Sequence, residues 1–287
     1  MADSRTAVSC GFHNTVLEDG TVSISQYQGN AEPLVIPATL DGRTVTVIGR
    51  ETLDAFSHVV SVSIPDTVTA IDSKAFYGCP TLEFVGMPDS VTSIGKEAFS
   101  GCASLRSIVI PDTVTEIGPF AFLDCASLTS FTLPDSVTEL GATPLSRCSR
   151  LRSIDVSPGH PTFASMNGVL FRKADKALIA YPCGKSGDAY SIPEGVALIG
   201  DDAFSGCRLT TVVIPGSVTE IGDGAFCLTE QLATVDIPAS ITSIDDSAFG
   251  QCPSLTLCIA DNAMAAQYAR GNGIPCTTGA VPGWLAD

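Results

Sequence analysis

Hydrophobic and polar positions alternate along this chain in short runs that return at a fixed interval. In Ser107-Ile108-Val109-Ile110 the two isoleucines take one side and Ser107 and Val109 the other, the two-residue period of a strand. Pro111 then removes a ladder donor and Asp112 favours a turn. Val114 and Ile117 mark a second bend, with Gly118 expected to supply permissive dihedrals. Ala121-Phe122 points a large ring inward before Leu128 opens the next strand. The same order of events starts at Ile64, Met87, Ile110 and Leu133 in steps of 23 residues. It restarts at Ile192, Ile214 and Ile237 after 22 and then 23 residues. A diverged first copy begins at Ile36 and carries an insertion at "TLDGRTVTV", so the chain holds about eight copies.

One such copy cannot bury its apolar side alone. Coils stacked about 4.8 Å apart bury all of them in a continuous core. The repeated L-x-x-I-x-I-P with A-F-x-x-C resembles the BspA-like class of bacterial leucine-rich repeats, from about Ile36 to Ile259. The resemblance implies a repeat solenoid, a leucine-rich repeat right-handed superhelix with a parallel β-sheet on one face, mostly β and loop with little helix. The domains expected are a hairpin cap at 1–35, a solenoid at 36–260 and a helical cap with a tail at 261–287.

Two kinds of departure from the repeat are informative. Within 157–191 the template is lost, and "SMNGVLFRKADKALIAYPCG" reads as a hairpin. Asn167-Gly168 supplies a turn, and Val169–Phe171 and Leu178–Tyr181 supply strands around "RKADK". At the ends, Asp19-Gly20 turns between alternating strands to cover the first coil. "DNAMAAQYARGNG" reads as a helix with Asp261/Asn262 as N-cap and Gly271 as stop, shielding the last coil. Trp284 is expected to pack on that cap.

Charge narrows the function classes. Thirty-one acids against 15 bases give a net charge of −16, which repels phosphate backbones and argues against nucleic acid as a partner. No apolar run has the roughly 18–20 residues of a membrane span, so membrane insertion is not expected. The first residues lack the basic and apolar regions of a leader, which leaves cytoplasmic and surface locations both open. Seven of the 15 bases, Arg147, Arg150, Arg152, Arg172, Lys173, Lys176 and Lys185, fall between 147 and 185.

Six of the eleven cysteines share one register: Cys79, Cys102, Cys125, Cys148, Cys207 and Cys252. They lack the short C-x₂-C pairs of zinc sites, and stacked in register their side chains run parallel rather than toward one another. Phe56 and Thr229 hold the same register position in other copies, which a packing position accepts and a metal ligand does not. The six are therefore expected to form a structural ladder of buried, unbridged thiols. With no evident cysteine pairing, the composition suits a reducing compartment.

No catalytic, cofactor-binding or metal site is expected. The histidines, His13, His58 and His160, do not recur with the repeat, and no nucleophile elbow, zincin or phosphate-loop motif is present. Asp66, Asp89, Asp112 and Asp135 come one per copy, too sparse for a calcium repeat and suited to turns. What remains is the outward side of the strands. The candidate partner-binding residues are Phe84, Ser107, Val109, Ser130, Thr132, Ser153 and Asp155, together with Arg172, Lys173 and Lys176 of the hairpin. The expected function is a non-enzymatic protein-binding module acting in protein–protein interaction or adhesion. From the resemblance, its partner would be a host extracellular or cell-surface protein. An intracellular scaffold or regulatory subunit and, less favoured by the few aromatic platforms, a carbohydrate-binding protein are the alternatives.

Overall fold

The computed structural model describes residues 7–9, 11–53 and 56–278. The chain forms a β-solenoid with a single helix among these residues, and it divides into two compact units, Met1–Pro161 and Thr162–Asp287. Trp284 lies outside the described residues.

In the first unit, two parallel ladders link successive coils. One is the expected sheet: Leu34–Val35 pairs with Ser61–Ser63, which pairs with Phe84–Gly86, and Ser130–Leu133 pairs with Ser153–Val156. The other runs through the segment that the sequence pattern marks only as a bend. Ala70–Ile71, Ser93–Ile94, Glu116–Ile117 and Glu139–Leu140 are parallel neighbours in unbroken register. Two residues per coil are too few for an alternation to announce a strand, so only coil stacking makes this ladder. A third side is bonded without strand geometry: Phe76, Phe99 and Phe122 each donate a backbone N–H to the next coil, at 2.8, 2.8 and 2.9 Å.

The coil at Ser107–Ile110 is a correction. It keeps the inward-outward alternation, with Ile108 and Ile110 buried, but it is not a strand, and ladder pairing stops at Gly86 and resumes at Ser130. Gly86 has no side chain to form a cross-strand pair with Val109, one coil on, which removes the usual support for a ladder at that point.

Gly118 is also corrected. A Cβ placed there would stand 2.5 Å from the Lys96 amide nitrogen and 2.7 Å from the Gly95 carbonyl carbon. The position is glycine because the coils approach too closely for a side chain, while positive φ falls two residues later, at Phe120 (58°). The alternating Ser and Thr after each turn Asp have a shared purpose as well. Ser90 and Thr113 donate their hydroxyls to the carbonyls of Val68 and Val91 on the preceding coil, at 2.6 and 2.7 Å.

Phenylalanine rings fill the core in columns. Phe76, Phe99 and Phe122 stack at 5.0 and 5.4 Å in the first unit, all fully buried. In the second unit Phe204, Phe226 and Phe249 stack at 4.9 and 5.0 Å. Ring spacing follows coil spacing, so each coil supplies one ring to a continuous offset stack.

Each unit opens with antiparallel strands that feed a parallel ladder. In the first unit Phe12–Val16 and Val22–Tyr27 form a hairpin, and Val22–Tyr27 then runs parallel to Arg43–Ile48. The segment expected as one hairpin opens the second unit as a three-stranded meander, Phe163–Met166, Val169–Arg172 and Ala177–Ala180. Its last strand runs parallel to Leu198–Ile199, the next rung of the ladder that continues through Glu220–Ile221 and Ser243–Ile244. The Asn167-Gly168 turn is as expected, with φ of 52° and 81° at its two central residues. The first strand escapes the sequence pattern because Phe163 alone on it is fully buried.

The helix Ala263–Gly271 has Asn262 as N-cap, accepting from the Ala265 N–H at 3.0 Å, while its amide donates to the carbonyls of Pro238 and Ile241. Gly271 is the last helical residue rather than the stop; that place falls to Asn272 and to Gly273, whose φ is +66°. Ala265 and Ala269 are buried, and Tyr268 sets its ring edge-on to Phe249 at 6.1 Å, ending the aromatic column.

Candidate binding surfaces and the thiol ladder

The cysteine register resolves into two chemistries. Cys79, Cys102, Cys125 and Cys148 are buried thiols, and each donates to the carbonyl of the column residue one coil back: Leu53, Phe76, Phe99 and Phe122, at 2.8, 3.1, 3.2 and 3.2 Å. Cys252, half-buried, does the same to Phe226 at 3.0 Å. Thr229 donates its hydroxyl to Phe204 at 3.0 Å, which explains why threonine is accepted in this register. Outside the diverged first copy, where Phe56 holds it, these coils fill the position with a small side chain that is also a donor, and cysteine combines both.

Cys207 corrects the expectation of an unbridged ladder, because it is joined to Cys183 by a disulfide with a Cα–Cα separation of 4.4 Å. Tyr181 occupies the Phe column of its coil, stacked on Phe204 at 5.2 Å, so the in-register cysteine position there is Gly184 and Cys183 stands one residue before it. That offset turns its side chain across the stack instead of along it, which is what a bridge requires. The bridge also removes the argument that the cysteines show no pairing and therefore suit a reducing compartment.

Burial pushes the Cys148 thiol up to about 12 from an ordinary 9.0. Cys102 and Cys125 are raised by burial first and by neighbouring thiols second. These groups are poor nucleophiles, since the thiolate is the reactive form. Their folded pKa lies above the unfolded one, so the stability they contribute is complete below pH 9 and is lost as pH rises toward 12. The unfolding free energy of the first unit in urea is expected to stay level to about pH 9 and then fall, by up to about 1.4 kcal/mol per pH unit for each thiol. Cys125→Ser should reduce that slope; a slope identical to the parent's through about pH 11 would exclude the thiols as its source.

The sheet-face candidates lie together in the first unit. Register pairs Ser61 with Phe84 and Ser63 with Gly86, then Ser130 with Ser153 and Thr132 with Asp155. Ser107 and Val109 occupy the coil between these pairs, outside the ladder. Phe84 is 51% exposed and Val109 79%, and Val35, beside Ser63 in the ladder, is 64% exposed. Ser153 donates to the Asp155 carboxylate at 2.6 Å. Where the short edge strand Leu34–Val35 leaves off, Glu32 continues its pairing: the carboxylate accepts from the backbone N–H groups of Val60 and Ser61 at 2.7 and 3.2 Å. Sequence reasoning missed Val35 because it lies in the diverged first copy.

The basic candidates lie on the second unit. Arg172 is not a free cation: its guanidinium pairs with both carboxylate oxygens of Asp175, at 2.6 to 3.1 Å. This pairing holds Asp175 below its ordinary value and raises Arg172. Lys185 donates to the Asn167 carbonyl at 2.6 Å, tying the turn that follows the meander to the meander's first turn. Lys173 and Lys176 are exposed at the second turn. Of the other bases in the window, Arg147 pairs with Asp124. His160 is fully buried. Among the described residues no group of three or more His, Cys, Asp or Glu is arranged to hold a metal ion, and no helix is long and apolar enough to cross a membrane.

No curated protein matches this chain. Three bacterial solved structures share its architecture. A leucine rich cell surface protein of Faecalibacterium prausnitzii is 25% identical, with a TM-score of 0.54 over 99% of this chain and 97% of that one. A leucine-rich repeat protein of Eubacterium ventriosum is 26% identical with a TM-score of 0.68, over 88% and 71%. One of Bacteroides ovatus is 25% identical with a TM-score of 0.61, over 89% and 71%. The sequence pattern described as BspA type Leucine rich repeat region matches residues 42–173 and 183–266, in six copies. With the coil geometry and its L-x-x-I-x-I-P and A-F-x-x-C positions accounted for, the chain belongs to the BspA-type leucine-rich repeat family.

Proposed function

We propose that this protein is an adhesion-type protein-binding module whose contact surface is the outward sheet face of the first unit. The observation that carries this reading is the exposure of Phe84 and Val109 on a face otherwise built mostly of small and hydroxylated residues. Isolated exposed apolar residues are ordinary, but Val35, Phe84 and Val109 stand on neighbouring columns of one repeating face. A large aromatic ring half in water is a favoured hot-spot anchor. The repeat keeps such a surface flat across several coils, which suits an extended protein partner. Display outside the cell is supported by the Cys183–Cys207 bridge and by the description of the Faecalibacterium relative as a cell surface protein.

The test is capture from extracellular-matrix extract and from bacterial lysate by the immobilised full chain. Phe84→Ser with Val109→Ser is expected to weaken capture of a matrix protein at least about tenfold, as loss of hot-spot contacts does. Lys173→Glu with Lys176→Glu probes the meander separately. If the face variant captures the same proteins as strongly as the parent, the face is not the contact surface; if only lysate proteins are captured, the scaffold reading takes its place.

A further inference from the structure

Charge is segregated within the first unit, and the segregation indicates what kind of partner its sheet face takes. Each coil leaves that face through the I-P-D-[ST]-V-T turn and runs to the second ladder. Over 65–72, 88–95, 111–118 and 134–141 these arcs carry seven acids, Asp66, Asp72, Asp89, Asp112, Glu116, Asp135 and Glu139, and no Lys or Arg. None of the seven forms a salt bridge among the described residues. Of the unit's cations, Lys74 and Lys96 pair with Glu97, Arg106 with Glu83, Arg50 with Glu51 and Arg147 with Asp124, Arg43 donates to the Gly20 carbonyl, and Arg150 and Arg152 are exposed outside these arcs. Glu116 and Glu139 are register partners, so two exposed like charges lie side by side with no counter-charge, an arrangement that repels.

Acids alone would be a solvated surface. Here, however, the row Asp66, Asp89, Asp112 and Asp135 is exposed and follows the outward face closely along the chain, with Asp89 five residues beyond Phe84 and Asp112 three beyond Val109. From the apolar pair followed along the chain by an uncompensated acidic row, we infer that the sheet face of the first unit binds a cationic polypeptide segment. Its apolar side chains cover Phe84 and Val109, and its Lys or Arg side chains pair with Asp66, Asp89, Asp112 and Asp135. This inference rests on the sheet-face reading above and adds the chemistry of the partner. Charge complementarity of this form speeds encounter and excludes acidic competitors, which carry the charge the row repels.

The probe is a short synthetic peptide alternating leucine with lysine, titrated into the full chain at low ionic strength and compared with leucine–serine and leucine–glutamate versions. The lysine peptide is expected to bind most tightly, and to lose affinity as salt is raised. Changing Asp66, Asp89, Asp112 and Asp135 to Asn keeps turn-forming residues in place and is expected to weaken it by about tenfold, the sum of four exposed charge pairs. A control variant removes the same charge from the second unit, with Glu194, Glu220 and Glu230 changed to Gln and Asp261 to Asn, and should leave affinity within about twofold of the parent's.

Equal weakening by both variants would mean attraction by net charge alone and would overturn the assignment. So would no binding of the lysine peptide, or binding unaffected by the Asp-to-Asn changes. If the leucine–serine peptide binds as tightly and only Phe84→Ser with Val109→Ser abolishes binding, the cationic partner is wrong while the sheet-face reading stands. If both the Asp-to-Asn and the Phe84/Val109 variants bind like the parent, both are wrong.

Discussion

Phe99→Ala is expected to lower the stability of the first unit by about 4 kcal/mol, within the 3–5 kcal/mol range of buried Phe-to-Ala changes. Phe99 is fully buried and stacked on both sides, with Phe76 at 5.0 Å and Phe122 at 5.4 Å. Removing the ring loses its transfer free energy, opens a cavity between two coils and breaks two stacking contacts together. A repeat array is held by nearest-neighbour interfaces, so the loss falls on the junctions of one coil with the coils before and after it. Phe99→Leu should cost less than about 2 kcal/mol, because Leu53 and Leu145 already hold the equivalent column position in other coils and are fully or almost fully buried there. Urea unfolding followed by hydrogen exchange resolves the effect by unit, which two-state fitting of the whole chain does not. Exchange at the Phe76 and Phe99 amides should accelerate while the amides of the Phe204–Phe249 column are unchanged. A loss below about 1.5 kcal/mol, or acceleration spread equally over both columns, would refute the stack as the dominant core interaction.

Cys183→Ser is expected to destabilise the second unit by about 3 kcal/mol, and reductant should do the same to the parent. The bridge closes a separation of 24 residues, and the loop-closure entropy it removes from the unfolded chain is of that size. Its position directs the effect. Cys183 follows the last strand of the meander and Cys207 lies on the next coil, so the bond ties the antiparallel opening of the unit to its first parallel rung. Without it, the meander is held to that rung by the Ala177–Leu198 and Leu178–Ile199 pairs and by the Tyr181–Phe204 stack at 5.2 Å. Hydrogen exchange over 163–180 should therefore accelerate more than at the ladder residues 220–221 and 243–244. Mass mapping of the oxidised chain provides the second check. Two alkylatable thiols at Cys183 and Cys207 in unreduced, unfolded protein would show that the bridge is not formed.

How much of this was legible in the sequence differs by element. The column of Phe76, Phe99 and Phe122, the inward isoleucines and the Asn167-Gly168 turn can all be read from residue type and interval, because burial and positive φ each select few side chains. Arg172 illustrates the opposite. A sequence window counts its charge, but whether that charge is available depends on Asp175 folding back across the turn to pair with it. Val109 reads as an ordinary strand residue, and its 79% exposure beside a break in the ladder emerges only when Gly86 is stacked on it.

The sequence by itself determined the coil: its length, which side chains enter the core, where each turn falls, and that cysteine recurs where a small side chain is needed. These are consequences of local chemistry repeated at one interval. Only the tertiary structure decided what the coils do to one another. It made a second ladder out of two residues per coil and required glycine at 118 because a neighbouring backbone leaves no space. It turned the cysteine position into a hydrogen-bond donor and bridged Cys207 to a cysteine one residue out of register. Each of these depends on atoms from different coils meeting at a few ångströms, and the interval between repeats fixes which residues face each other without fixing how closely they come.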